Sequence, residues 1–256
     1  MMIRQFLVAT PLLLTITPAL ALDPPLADPP EIEKMVRKTE NYTFEYGYPK
    51  SLVRDSQLSD YLKKDRDKEY TRFSTEADRD HTNSAAIAGN RPRLLPYDYQ
   101  VHWREEADIP TYRSMVQHWY GFYGGAHGIY GAKSWIWNKV TNQMIKPKSL
   151  FYSTEAFDQA LEKGFCKQLN IQRAEKRGQP VTTDSDDSFD QCIPASDQTI
   201  ILGSTTGSGF DMIKICAGPY AAGPYVEGDY QVDLPVTQAI IDTVKPAYRQ
   251  SFSIKR

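Results

Sequence analysis

The chain has 256 residues, of which 41% are apolar and 24% charged, and its 30 basic and 32 acidic side chains leave a formal charge of −2. This composition excludes general disorder and a multi-pass membrane protein. The missing net positive charge argues against a nucleic-acid-binding protein, which needs a basic surface for the phosphate backbone. Aromatic residues at 12% and 17 prolines favour β-structure with many turns.

The first residues have the layout of a secretory signal peptide. Arg4 precedes a short apolar run over residues 6–16, and residues 19–21 (Ala-Leu-Ala) form a small-x-small cleavage site. We predict a signal peptide over residues 1–21 and a periplasmic or secreted protein with no membrane span after cleavage. An uncleaved anchor is the alternative, although the run is short for a bilayer.

Three cysteines remain for an oxidising compartment, where two are expected to pair. Cys166 and Cys192 are the expected disulfide, because the polar stretch 184–190 lets the chain return to the helix that holds Cys166. Cys216 has apolar neighbours and is predicted to be a buried free thiol. No metal site is predicted, because no C-x2-C or H-x3-H spacing occurs and the acidic residues at 184, 186 and 187 lack the glycine and glutamate of a calcium loop.

The first part of the chain is predicted to hold one strand and one helix. Residues 22–39 are a proline-rich leader, 42–48 a strand and 52–73 a helix, whose charged residues 63–68 form a solvated face. The polar stretch 75–93 is predicted to be a loop.

The second part is predicted to be rich in strands, at residues 97–103, 111–123, 133–138, 199–202, 210–215 and 229–234. Asn142 is placed at a left-handed position in a turn over 140–143, and the glycine-rich segment 203–209 is a hairpin loop.

Two helices are predicted among these strands. Ser153 caps a helix that Gly178 ends and that buries Phe157, Leu161, Phe165 and Leu169, and a short helix follows over 235–244. The sum is an α+β fold, a mostly antiparallel sheet with helices packed on one face, in two sequential subdomains over 40–96 and 97–256.

Two loops rich in glycine and tyrosine are the candidate ligand-binding site. The first covers 123–131 and the second 217–225, where paired Gly-Pro-Tyr units occur. Tyrosine offers a large contact area and a hydroxyl at low entropy cost. A tight turn in which His127 bonds its own loop is the structural alternative, and packing of Tyr220 back onto the sheet is the favoured one. The candidate residues are Tyr123, Gly124, Gly125, His127, Tyr130, Tyr220 and Tyr225.

No catalytic residues and no cofactor are predicted. The spacings H-E-x-x-H and G-x-S-x-G are absent, and the four histidines are scattered along the chain. His102 and His118 fall on predicted strands beside tryptophans, where a satisfied sheet residue is more common than a base.

Three motifs resemble a known family. Residues 123–131 (YGGAHGIYG), 142–151 (NQMIKPKSLF) and 219–223 (PYAAG) are similar to the secreted C-terminal domain of RsiV-like anti-sigma factors. The resemblance covers about residues 97–244. Residues 40–73 are more weakly similar to the strand–helix domain that precedes it there and in PdaC-like peptidoglycan deacetylases. Asn142 and Lys148 depart from the family's usual glycine and aspartate.

The resemblance implies an extracytoplasmic binding domain of the type that binds lysozyme. No transmembrane or sigma-binding segment and no deacetylase catalytic domain are found, so neither activity is carried over. The first hypothesis is therefore a non-catalytic envelope binding module that recognises a lysozyme-like protein or peptidoglycan. The second is an envelope hydrolase using His127, and the third is a structural envelope protein without a small ligand.

Overall fold

The computed structural model describes residues 31–88, 94–182 and 186–254. The predicted signal peptide, the leader up to residue 30 and the acidic residue 184 lie outside these residues. In the described part of the chain, no helix combines the length and the hydrophobicity needed to cross a membrane.

A six-stranded sheet follows the chain order. Its neighbours are antiparallel, except that the second and third strands run parallel because a long helix connects them. The strands are β1 (Ile32–Lys38), β2 (Tyr42–Pro49), β3 (Tyr97–Asp108), β4 (Tyr112–Phe122), β5 (Ile129–Asn138) and β6 (Gln143–Ile145).

The long connection is helix α1 (Ser56–Ala88), which covers one face of this sheet with an aromatic core. Phe73 packs against Phe44 and Tyr99 there. Asp65 also faces this core, where its Oδ2 accepts a hydrogen bond of 2.7 Å from the Tyr46 hydroxyl. Burial raises the pKa of Asp65. The prediction of a solvated face over residues 63–68 is therefore wrong for this carboxylate.

Two further corrections concern the first part of the chain. The predicted loop over 75–93 is helical as far as Ala88, because Ala77 is fully buried and Asp80 accepts a hydrogen bond from the Tyr97 hydroxyl at 3.4 Å. The leader prediction missed strand β1, which is exposed at six of its seven residues and is held by backbone pairing with β2.

A three-stranded antiparallel sheet lies against the other face of the large sheet. It consists of β7 (Thr199–Gly203), β8 (Met212–Ala217) and β9 (Tyr230–Pro235). Ile201 and Cys216 face Val116 across the interface, and the Ser134 hydroxyl donates to the Ile200 carbonyl.

Helix α2 (Thr154–Arg177) covers the outer face of the small sheet. The Ser153 hydroxyl caps it by accepting from the Ala156 amide at 3.2 Å, and Gly178 ends it with a φ of 68°. Its stripe Phe157, Leu161, Phe165 and Leu169 is buried, as predicted. Helix α3 (Gln238–Thr243) packs beside it, inside the predicted 235–244.

Several local predictions are confirmed. The structure contains the disulfide between Cys166 and Cys192, with Cα atoms 5.4 Å apart, and Cys216 is a buried free thiol. Asn142 has the left-handed φ of 53° that its turn requires.

The predicted α+β class with a mostly antiparallel sheet is confirmed. The main helices form two outer layers, with α1 on the large sheet and α2 on the small one. The subdomain boundary at residue 96 stays a prediction, although β2 and β3 pair across it.

Candidate functional site: an aromatic cluster where two loops meet

The β4–β5 connection carries the first loop. Tyr120 and Tyr130 lie opposite each other at the ends of these strands, on the sheet face that also carries the small sheet. Gly128 passes directly over the Tyr120 ring, and a Cβ at residue 128 would overlap that ring. The glycine is therefore needed for the loop to fold back over the sheet.

The second loop connects β8 and β9 and begins with a tight turn. The Ala221 amide donates to the Gly218 carbonyl at 3.1 Å, Pro219 occupies the second position, and Tyr220 at the third has a φ of 69°. These are the hydrogen bond and the positive φ of a type II turn, which usually has glycine at its third position. Tyr220 is 57% exposed, so the prediction that its ring packs onto the sheet is wrong.

The two loops meet at Tyr225. Its hydroxyl donates to the Gly128 carbonyl oxygen at 2.7 Å, and its ring stacks on the His127 ring with centroids 4.1 Å apart. Tyr220 lies 5.6 Å and Tyr130 6.1 Å from the Tyr225 ring, between centroids. Four predicted candidates, His127, Tyr130, Tyr220 and Tyr225, thus form one group, which we call the aromatic cluster.

The His127 ring forms a hydrogen bond within its own loop. Its Nδ1 lies 2.8 Å from the Gly128 carbonyl oxygen, and since a carbonyl only accepts, Nδ1 carries the proton. Within residues 31–88, 94–182 and 186–254, no carboxylate or hydroxyl forms a hydrogen bond with the His127 ring. The arrangement that a general base needs, a positioned partner in hydrogen-bonding distance, is not present there.

An ionic network holds the second loop onto helix α2. The Arg177 guanidinium bonds the Glu227 carboxylate at 2.9 Å and the Asp190 carboxylate at 2.6 Å. The Tyr230 hydroxyl also donates to Glu227, and Lys176 donates to the Glu227 carbonyl at 2.6 Å. Burial alone would raise the pKa of Glu227, but the Arg177 and Tyr230 bonds lower it overall. These bonds to α2 therefore fix the second loop at Glu227, two residues after Tyr225.

The rim of the aromatic cluster is apolar. Val226 is 90% exposed and Tyr220 57%, and both belong to the second loop, on either side of Tyr225 in the sequence. Large apolar side chains that are exposed close together mark an interaction surface. We call Tyr220 and Val226 the apolar rim.

Two predicted site residues point elsewhere. The Tyr123 ring packs edge-on against Phe73 and Tyr97 in the core under α1. Gly124 also lies next to Tyr97, because a Cβ at residue 124 would be 3.5 Å from the Tyr97 ring. Gly125 is exposed between them and His127. The structure therefore splits the first glycine-rich motif between the two faces of the sheet.

A shallow groove continues from Tyr130 along the sheet. It is lined by His102, His118 and Tyr120. The His118 Nε2 is buried without a hydrogen-bond partner within the described residues. Burial, followed by the positive charge of Arg104, lowers the pKa of His118. Burial also raises the pKa of the Cys216 thiol to about 11, so this cysteine is a poor nucleophile.

The sequence did not single out Val226 or Glu227. A single exposed apolar residue such as Val226 carries no functional signal in a sequence. The Arg177–Glu227 pair spans 50 residues and joins two elements that the sequence does not show to be neighbours.

The comparisons with known proteins agree with part of this description. Residues 35–130 match the family model described as Deacetylase PdaC. The match runs from β1 to the start of β5 and so includes the first of the two loops. No curated protein matches the chain.

Two solved structures are distantly similar to the chain. A DUF3298 family protein from Pseudomonas aeruginosa PAO1 is 16% identical with a TM-score of 0.49, covering 90% of this chain and 99% of its own. A DUF3298 family member from Bacteroides fragilis is 12% identical with a TM-score of 0.47, covering 80% and 90%. The RsiV-like assignment stays a prediction.

Proposed function

We propose that the chain is an exported, non-catalytic binding module of the cell envelope that recognises a lysozyme-like protein through the aromatic cluster and its apolar rim. The observation that carries the proposal is the contact between Tyr225 and the loop at Gly128, which brings two sequence-distant loops into one surface. The disulfide supports an oxidising compartment, as does the signal-peptide pattern of residues 1–21.

The apolar rim supports a protein partner. Val226 is aliphatic and 90% exposed, and its burial against a protein surface removes apolar area from water. Tyrosine rings such as that of Tyr220 are typical anchors of protein interfaces. Peptidoglycan is the second ligand tested, because a tyrosine ring also offers a flat face and a hydroxyl to a sugar.

The geometry gives no support to the hydrolase alternative. His127 bonds its own loop and stacks on Tyr225, which is the arrangement expected for a structural histidine. The name of the matching family model refers to a deacetylase activity, and this activity is a property of that family. In the described residues no group of three or more His, Cys, Asp and Glu side chains is placed to hold a metal ion.

The test is calorimetric titration of the chain with lysozymes and, separately, with soluble peptidoglycan fragments. Val226→Ser is expected to weaken binding about tenfold, the effect of roughly 1.4 kcal/mol at an interface. Val140→Ser is the matched control, because Val140 is 76% exposed in the β5–β6 turn, away from both loops.

Binding of a lysozyme that Val226→Ser weakens and Val140→Ser leaves unchanged supports the proposal. Binding of peptidoglycan alone would replace the protein partner by a glycan. If neither titration shows binding, or if both variants lose affinity equally, the assignment of this surface would be overturned.

A further inference from the structure

Strand β1 is a free edge of the large sheet. It pairs with β2 over seven consecutive residues without a bulge, and no other strand in the described part of the chain pairs with it. It is longer than the other edge strands there, since β6 has three residues, β7 five and β9 six. A long and regular edge carries a row of unpaired backbone groups that can accept a further strand.

The pairing with β2 determines which backbone groups of β1 point away from the sheet. The Lys50 amide donates to the Glu31 carbonyl and the Thr39 amide to the Tyr42 carbonyl, each at 2.8 Å. Because hydrogen-bonded pairs alternate along an antiparallel ladder, the odd-numbered residues between Glu31 and Thr39 also bond β2. The outward-pointing amides and carbonyls therefore belong to the even-numbered residues Ile32, Lys34, Val36 and Lys38.

These outward groups restrict how β1 can pair with a second copy of itself. Outward groups of one strand must face outward groups of the other, so an antiparallel pair has its two-fold axis at a residue and not between two residues. An axis at Glu33, Lys34 or Arg37 places that charged residue opposite its own copy. An axis at Val36 places Lys34 opposite Lys38. Like charges directly opposite each other are destabilising, so these registers are unfavourable.

An axis at Met35 gives a self-complementary pair. It places Glu33 of each copy opposite Arg37 of the other, so two ion pairs form. These positions exchange no hydrogen bonds between the strands, and at such positions the opposing side chains are closest. The Tyr48 hydroxyl donates to the Glu33 carboxylate at 3.1 Å and so holds this group at the edge.

The remaining contacts fit the same register. Lys34 lies opposite Val36, and the Lys34 charge is balanced within its own chain by Glu45 at 3.2 Å. In the single chain the Arg37 guanidinium donates to the outward Val36 carbonyl at 3.0 Å. The second copy offers this carbonyl its Lys34 amide, and Arg37 is then released to pair with Glu33.

We propose that β1 pairs antiparallel with β1 of a second copy of this chain about a two-fold axis at Met35, which joins two six-stranded sheets into one. The charges of the strand oppose pairing with an unrelated edge and complement its own copy, so they select the partner. The pair carries two aromatic clusters, and the interface stands whether or not those clusters bind a lysozyme-like protein.

The experiment is sedimentation equilibrium of the full chain from about 10 μM to about 1 mM, because two paired strands form a small interface that binds weakly. Dimer formation is expected. Glu33→Arg and Arg37→Glu are each expected to weaken it about tenfold or more, because each places like charges opposite each other twice. An equimolar mixture of the two variants is expected to restore it, because each contact between the different chains again joins opposite charges.

Two controls separate this pairing from other association. Glu162→Arg reverses a charge at an exposed position of α2 and is expected to leave dimer formation unchanged. Under oxidation by glutathione disulfide, Met35→Cys is expected to form a covalent dimer, because the two copies of this residue face each other across the axis. Ile32→Cys is expected to form none, because the two copies of that residue lie about 20 Å apart along the strands.

Dimer formation that the mixed variants restore, with cross-linking of Met35→Cys and none of Ile32→Cys, supports the pairing. Absence of dimers up to about 1 mM, dimers that both charge variants leave unchanged, or equal cross-linking of the two cysteine variants would overturn it.

Discussion

The hydroxyl of Tyr225 donates a hydrogen bond of 2.7 Å to the Gly128 carbonyl oxygen, and the His127 Nδ1 reaches the same oxygen at 2.8 Å. One buried carbonyl thus uses both lone pairs to join two loops that are 97 residues apart in sequence. The loops are joined by polar contacts and by the stacked rings, so each contribution can be removed separately.

Tyr225→Phe keeps the ring stack and removes the hydrogen bond. We expect the free energy of unfolding to fall by about 1 kcal/mol, since the Gly128 carbonyl keeps only its His127 partner. Chemical denaturation measures the change. Tyr248→Phe is the control, because the Tyr248 hydroxyl forms no hydrogen bond in the part of the chain that the structure describes. Equal losses in the two variants would show that the bond between the loops contributes nothing.

Tyr220→Gly is expected to separate stability from binding. A side chain at a φ of 69° is strained by roughly 1 kcal/mol, and glycine relieves this strain while it adds freedom to the unfolded chain. The free energy of unfolding should therefore stay within about 1 kcal/mol of the original value. The tyrosine contact area is lost, so ligand affinity should fall about tenfold.

The same denaturation and titration experiments read both quantities in this variant. A fold that loses several kcal/mol would show that Tyr220 is structural. Unchanged affinity would place Tyr220 outside the binding surface.

The parts of the fold that follow from local sequence were predictable. The stripe of α2 repeats every four residues, and Ser153, Gly178 and Asn142 act through their own backbone neighbours. The end of α1 was not predictable in this way, because its polar last turns are held by Tyr97, which comes after the helix in the chain. Strand β1 was missed for the related reason that its partners are backbone groups of β2.

The candidate site was predictable as two loops but not as one surface. The composition of each loop singled out His127, Tyr220 and Tyr225, whereas their contact depends on how β8 and β9 pack against β4 and β5. The same packing turned Tyr123 into the core under α1, although it lies only four residues from His127. Successive residues of a strand face opposite sides of the sheet, and the pairing register decides which side each one takes. This register cannot be read from a glycine-rich segment.

His118 is expected to make stability depend on pH. Burial and then Arg104 lower its folded-state pKa from 6.5, so the unfolded chain takes up the proton first as the pH falls. The contribution of the neutral ring is fully present above pH 6.5 and is lost as the pH falls below it. Glu106 and Asp229, which act in the opposite direction, and His102 are the other charged or titratable groups around this ring.

The measurement for His118 is the free energy of unfolding of the original chain and of His118→Gln between about pH 7.5 and about pH 5, which lie on either side of the ordinary histidine pKa. The variant should lose less stability on acidification than the original chain. Identical slopes would mean that His118 has the same pKa in the folded and unfolded states.

Phe165→Ala tests the packing of α2 on the small sheet, which positions the loop that carries Tyr225. Phe165 is 1% exposed, and its loss should lower the free energy of unfolding by about 3–5 kcal/mol through lost burial and the cavity left behind. Gln168→Ala, at an exposed position of the same helix, should change it by less than about 0.5 kcal/mol. Urea denaturation of both variants gives the comparison. A loss below about 1 kcal/mol for Phe165→Ala would show that the stripe of α2 does not stabilise the fold through burial.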